Sequence, residues 1–316
     1  MKEAFIFEIK QYPEFSWSLA RQQTFQTCRR QYAYHYYYSH NGWLQYNVDE
    51  ETKHIYRLKK ITSLPLLFGT IVHDLIAKSL QQFFQLRLQP SLQQLIEDAR
   101  HLLNEAYLDS TMRRDAWFAR PSRHTMLTDF YYGDGFDPEQ VATYRERLKP
   151  TFQNFLRSET WRMIEREPER FDFIQLEDFA TVSIFDTKVF VVLDLLLFDR
   201  QTNRYIIIDW KTGKPSSSDH QQLVLYSIYV LLNYGASLDD IDLCNEYLKD
   251  GTRAVHAPTQ LELQHMTDVF QMSVEEMLHY VADPSINAPL PLDSYERTTD
   301  EWKCRQCNYR EICLPT

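Results

Sequence analysis

Glycine is scarce in this chain, with seven among 316 residues. So small a supply of positive-φ positions argues against a loop-rich, all-β design and against glycine-lined phosphate cradles. Neither G-x-x-x-x-G-K-[ST] nor G-x-G-x-x-G occurs, which argues against an autonomous ATP-driven motor and a dinucleotide-binding dehydrogenase. Long apolar runs are missing too. No stretch of 18 apolar residues exists, and the opening MKEAFIFEIK lacks a secretory hydrophobic region. A soluble, cytoplasmic protein without a membrane partner is therefore expected. Cysteines number five, and in a reducing compartment clustered cysteines read as metal ligands rather than disulfides.

Aromatic residues, by contrast, make up 14% of the chain and apolar residues 44%, enough to bury a sizeable core. The formal charge of −10 does not exclude a nucleic-acid partner, because the binding footprint is local. RQQTFQTCRR at 21–30, RLKK at 57–60 and the pair Arg113–Arg114 would supply basic surface.

Ser16 or Ser18 is placed to cap a helix over 17–38, in which Leu19, Phe25, Tyr32 and Tyr36 recur at helical spacing. A second helix is expected after Gly69, over 69–86, with Ile71, Leu75 and Leu80 on one face. Segments 91–109 and 139–165 also read as helices, separated by a Gly-, Pro- and Asp-rich loop at 119–138. The texture then changes: 173–183, 187–198 and 204–211 are β-branched, apolar and joined by short turns. An apolar helix at 219–235, a strand at 241–249 and a helix near 258–282 follow, and the tail from 300 is too polar and cysteine-rich for one simple helix. This order implies an α/β core with a mixed sheet inside a largely helical frame.

Two strands break the apolar rule. VFVVLDLLLF places Asp194 amid nine apolar residues, and IIIDWK carries Asp209 and Lys211 at alternate positions. Burying an unpaired charge costs several kcal/mol, so these groups need each other or a metal. A structural ion pair satisfies that need, and so does a divalent cation on hard carboxylate oxygens beside a lysine. His73 lies on the opening turns of the second helix, and Gln222 and Tyr226 share one face of the helix after the D-W-K strand.

In this order the set resembles the PD-(D/E)XK nuclease superfamily, and specifically its RecB-type exonuclease domains. Those domains carry a helix histidine, a strand aspartate, a D-x-K on the next strand and a Q-x-x-x-Y helix. Here the matching positions are His73, Asp194, Asp209-Trp210-Lys211 and Gln222-x-x-x-Tyr226, with 14 residues between the two aspartates. The resemblance spans about 66–230 plus both ends, and 88–170 matches nothing in the family.

The tail reads Cys304-x-x-Cys307-x5-Cys313, one thiolate short of the usual four for zinc or an iron–sulfur cluster. Cys28 and Cys244 are the two candidates for the fourth. Cys244 alternates within an apparent strand, where a small buried hydrophobe is its natural role. Cys28 lies in polar surroundings at a helix end. One subset of the family, including the AddB-type subunits and a CRISPR-associated adaptation nuclease family, pairs one early cysteine with three in such a tail. By that resemblance Cys28, Cys304, Cys307 and Cys313 hold a 4Fe–4S cluster that staples the two chain ends.

The resemblance further implies a restriction-endonuclease-like core hydrolysing DNA phosphodiesters with Mg²⁺ or Mn²⁺. His73, Asp194, Asp209 and the Trp210 carbonyl would be metal ligands. Lys211 would position the nucleophile or stabilise charge at phosphorus, with Gln222 and Tyr226 orienting it or contacting the strand backbone. Single-stranded DNA or DNA ends are the expected substrate, with Tyr32 to Tyr38 and Trp43 either stacking on bases or packing internally. Arg29 and Arg30 would follow phosphates, and a helicase or other protein partner would present the strands. The rival readings are a non-catalytic DNA-end or partner-binding module on the same fold and a zinc-stapled protein with structural charges. The expected organisation is one nuclease domain over 1–316: an N-terminal helical segment (1–65), a core (66–87 and 171–285), a helical insertion (88–170) and a cluster-binding tail (286–316).

Overall fold

The computed structural model describes residues 9–314. The opening MKEAFIFE, with the reading of it as lacking a secretory segment, and the last two residues lie outside the described residues. Five strands form one mixed sheet in chain order: β1 Phe171–Ile184, β2 Thr187–Asp199, β3 Arg204–Lys211, β4 Ile241–Tyr247 and β5 Thr252–His256. The first three are antiparallel, β4 joins β3 in parallel, and β5 is antiparallel at the edge. A parallel neighbour requires a crossover, and a helix over Ser217–Tyr234 supplies it.

The helices include α1 Leu19–Thr27, α2 Leu64–Leu86, α3 Leu92–Thr111, α4 Pro138–Arg157, α5 Ser217–Tyr234 and α6 Gln260–Leu278. Apolar side chains of the strands pack on both sides of the sheet. On one side Val189, Val191, Leu193 and Ile207 pack with Leu223 and Tyr226 of α5 and Phe270 of α6. On the other, Leu195, Leu197, Ile206 and Ile208 meet Phe68, Val72 and Leu75 of α2 and Phe152 and Phe155 of α4. A third apolar cluster joins Tyr34, Leu58, Trp117 and Met126 to Tyr309 of the tail. The chain is thus a mixed α/β structure with helices flanking a five-stranded sheet.

Several elements depart from the sequence reading for identifiable reasons. The helix expected over 17–38 breaks at Cys28, whose φ of −164° and ψ of 117° are extended. It resumes over Arg29–Ala33 and then widens to a π-helical turn at Tyr34–Tyr38. α2 starts five residues before Gly69, because Ser63 caps it and Pro65 suits its first turn. The expected 139–165 helix is split at Ser158, which is extended and caps the second piece, Glu159–Arg166. Within the expected loop 119–138, Met126–Leu127 pairs with Ile61–Thr62 and one helical turn follows at Thr128–Tyr131. The strand expected to 249 ends at Tyr247, the helix expected near 258–282 spans Gln260–Leu278, and two short helices, Glu301–Gln306 and Arg310–Cys313, form the tail.

Candidate functional site

The β2–β3 ladder runs from Asp199↔Arg204 to Leu195↔Ile208 and stops there. The next pair in register would be Asp194 and Asp209, two buried carboxylates. Instead of continuing the ladder, Asp194 Oδ2 accepts the Trp210 backbone N–H at 2.7 Å. On its other side Asp194 stands opposite Glu177, since Leu176↔Leu195 and Asp178↔Leu193 flank them. Glu177 has a φ of 45°, a left-handed conformation that costs an L-residue on the order of 1 kcal/mol.

Helix α2 buries Phe68, Ile71, Val72, Leu75 and Ile76 and thereby holds His73 against this strand pair. His73 Nδ1 lies 3.2 Å from Asp194 Oδ2 and 3.3 Å from Glu177 Oε1. The ligand atoms of the three residues all lie within 4.8 Å of one another. Burial opposes protonation of His73, but the Asp194 and Glu177 carboxylates outweigh it and raise its pKa well above the ordinary histidine value. Burial also raises Glu177.

Asp209 is 1% exposed. Its burial, with Asp194 nearby, pushes its pKa up to about 7 despite Lys211 and His73. Lys211 Nζ stands 2.7 Å from Asp209 Oδ2, yet that oxygen has no aligned hydrogen-bond donor. An oxygen so placed has a lone pair free for a cation. Hard oxygens and one imidazole suit Mg²⁺ or Mn²⁺, so these residues fit the metal.

Lys211 is held by a relay. Its Nζ donates to Gln222 Oε1 at 2.7 Å, Gln222 Nε2 donates to the Tyr226 hydroxyl, and that hydroxyl donates to the Val192 carbonyl. One helical turn separates Gln222 from Tyr226, so α5 presents both to the end of β3. Burial alone would lower the Lys211 pKa, but Asp209 and Asp194 raise it above the ordinary lysine value. The ammonium form is thus secured. Trp210 points the other way: its indole Nε1 donates to buried Glu246 at 3.1 Å and its ring meets Phe155 edge-on.

Cys28, Cys304, Cys307 and Cys313 line one small cavity, with Arg297, Lys303 and Arg310 on its rim. The Thr298 N–H points at Cys28 Sγ and the Tyr309 N–H at Cys307 Sγ, each at 3.4 Å. Burial pushes the Cys307 thiol up to about 11, with the other three sulfurs adding to the shift. The four cysteines thus line one cavity with two amide donors and three cations, and among the described residues no three of their sulfurs all lie within 4.8 Å of one another. Cys244 is elsewhere: it is fully buried in β4, in register with Ile208, and its sulfur accepts from Arg253 Nε at 3.1 Å.

The tyrosine segment packs inward in part. Tyr32, Tyr34 and Tyr37 are buried, and Tyr34 stacks on Tyr309 at 5.3 Å. Arg30 Nε donates to the Tyr295 carbonyl at 2.7 Å, and Arg29 lies 3.9 Å from the exposed Glu276. Trp43 is 43% exposed, on a separate surface cavity with Arg57 and Arg123. The residue that sequence reasoning missed is Glu177. It interrupts no apolar run, and in QLED it reads as the solvent face of a strand. Its signal is positional: it faces Asp194 across the β1–β2 pair.

A family model described as the PD-(D/E)XK nuclease superfamily matches residues 16–314. Among solved structures, one described as "Crystal structure of SSO0001" is similar at 14% identity, covering 67% of this chain and 80% of its own, with a TM-score of 0.29. No curated protein matches.

Proposed function

Because the chain belongs to the PD-(D/E)XK nuclease superfamily, we propose that it is a metal-dependent deoxyribonuclease of the RecB/AddB type, an exonuclease acting on single strands or DNA ends. The observation that carries this reading is the meeting of two constellations at the end of β3. His73, Glu177 and Asp194 form a hard-ligand trio, and Lys211 is locked beside Asp209 by Gln222 and Tyr226. His73, Glu177, Asp194 and Asp209, with the Trp210 carbonyl, would hold Mg²⁺ or Mn²⁺, which supplies an activated water and charge at phosphorus. Lys211, kept as an ammonium, donates to a non-bridging phosphate oxygen as negative charge develops there. Gln222 and Tyr226 fix its position, so that little reorganisation is needed at the moment of reaction.

Cys28, Cys304, Cys307 and Cys313 would hold a 4Fe–4S cluster, which supplies a tie between the chain ends. A brown protein absorbing broadly near ~400 nm supports iron–sulfur; a colourless, zinc-loaded one overturns it. The enzymatic reading is tested with end-labelled single- and double-stranded DNA and Mg²⁺ or Mn²⁺, under anaerobic conditions. Wild type should release short products and Lys211→Ala should lose at least about 100-fold in rate. Inert wild-type protein would defeat the enzyme reading, and equal cleavage by Lys211→Ala would defeat the assignment of the lysine.

A further inference from the structure

A groove of about 590 Å³ opens from the Lys211–Tyr226 relay towards α1 and the Tyr34–Tyr38 turn. Two features of it bear on a ligand. The first is Phe179, a large aromatic on β1 that is 68% exposed. It rests against Phe190 at 4.7 Å between ring centres. It pairs in register with Val192, two residues from Asp194 and thus about 7 Å along the strand.

The second is Arg21, a cation of the groove wall without a carboxylate partner, backed from outside the lining by Lys59 and Lys60. The Arg21 guanidinium lies over Tyr36 at 4.3 Å and near Phe190 at 5.9 Å. Lys59 Nζ lies 5.5 Å from the same tyrosine ring and donates to the His35 carbonyl at 2.7 Å. Among the described residues no Asp or Glu oxygen lies within 4.0 Å of Arg21, Lys59 or Lys60. Burial and the neighbouring Arg21 and Lys60 lower the Lys59 pKa to about 8. The groove's own carboxylate, Asp219, is already used: it accepts the Ser216 N–H in the cap of α5.

We propose that one unpaired DNA strand runs along this groove from Lys211 across Phe190 and Phe179 to Arg21 and Tyr36. Phe179 is the platform on which a base stacks, and Arg21 anchors a backbone phosphate. An exposed ring beside a cation without a carboxylate partner is the chemistry that holds single strands without reading sequence. A base inside a duplex has both faces covered by its neighbours, so the platform favours unpaired bases. The assignment rests on the nuclease reading for the choice of DNA.

The test measures anisotropy of labelled 15-residue oligo(dT) and of a blunt hairpin duplex, with Ca²⁺ in place of Mg²⁺ and full-length protein. Phe179→Ala should weaken oligo(dT) binding about tenfold, and Phe179→Trp should keep it. Arg21→Ala should lower the slope of log affinity against log salt by about 0.7. Melting curves of each variant establish that it is folded. Wild-type affinity in folded Phe179→Ala, or an equal loss on the blunt duplex, overturns the proposal. Wild type that cleaves DNA while these variants bind normally loses the track and keeps the nuclease; wild type that binds through this groove without cleaving does the reverse.

Discussion

Asp194 and Asp209 are legible in sequence because each violates an apolar strand, and a buried carboxylate needs a reason. Their use is less legible, since an ion pair with Lys211 satisfies the same rule. The geometry holds elements of both: Lys211 sits beside Asp209, and Asp194 turns to His73 and the Trp210 N–H. Glu177 escaped notice because cross-strand register, not local pattern, puts it there. It carries its own prediction: Glu177→Gln should weaken Mn²⁺ binding by about 10- to 100-fold, read by calorimetry. Unchanged affinity would remove it from the metal set. Proton linkage gives a second outcome at this scale. With its pKa raised from 3.8 to about 7, folded Asp209 keeps a proton that the unfolded chain releases. Its contribution to stability therefore falls as pH rises from about 4 to about 7. His73, raised above 6.5, contributes stability below that value and loses it as pH rises through its folded pKa. Both signs agree. EDTA-treated protein should melt lower at pH 8 than at pH 6, and Mn²⁺ should remove or reverse the difference. A metal-free melting temperature that climbs across this interval would contradict the assignment.

Elements were readable where a face or run is strongly apolar, as in α2, β2, β3 and α5. They were misread where tertiary packing overrides local pattern. The break at Cys28 is one case: nothing in TFQTCRRQY is a helix breaker, and the extended residue is explained only by what its sulfur faces. β5 is another. As TRAVH on a sheet edge, almost wholly exposed, it offers no apolar alternation to read. The far end of β2 holds a feature invisible to periodicity. Asp199 is buried and its two carboxylate oxygens accept from Arg170 Nε at 2.8 Å and Nη2 at 2.6 Å. This bidentate pair, chiefly through those hydrogen bonds, lowers the Asp199 pKa from 3.8 to about 2. The stabilisation is therefore present above the unfolded value and is lost as pH falls through about 2. On that shift Asp199→Asn should cost about 2 kcal/mol at pH 7, and the gap to wild type in denaturant titrations should narrow towards pH 2. A gap that stays constant down to pH 2 would show that packing of β2, not charge, sets the cost.

At the scale of the molecule, the first and last described segments meet. Cys28 and Cys304 are 276 positions apart yet line one cavity, and Tyr34 and Tyr309 stack beside it. The spacing of the tail cysteines was legible; their convergence with Cys28 is a property of the folded chain, which residue types alone left open against Cys244. The cavity is joined to the substrate side through one short turn. Within Tyr34–Tyr38, Tyr34 faces Tyr309 while Tyr36 lines the groove that reaches Lys211. Loss of the proposed cluster should thus disturb the groove through the backbone without touching a carboxylate of the site. A crosslink closing so long a loop is worth about 5 kcal/mol in the chain-entropy account. Cys28→Ser should accordingly lower the melting temperature by about 10 °C or more and reduce bound iron. The oligo(dT) affinity should fall with it, whereas Mn²⁺ affinity at the carboxylates should change far less. Parallel loss of iron, melting temperature and strand binding supports the coupling. Full iron and unaltered melting in Cys28→Ser would end the staple reading.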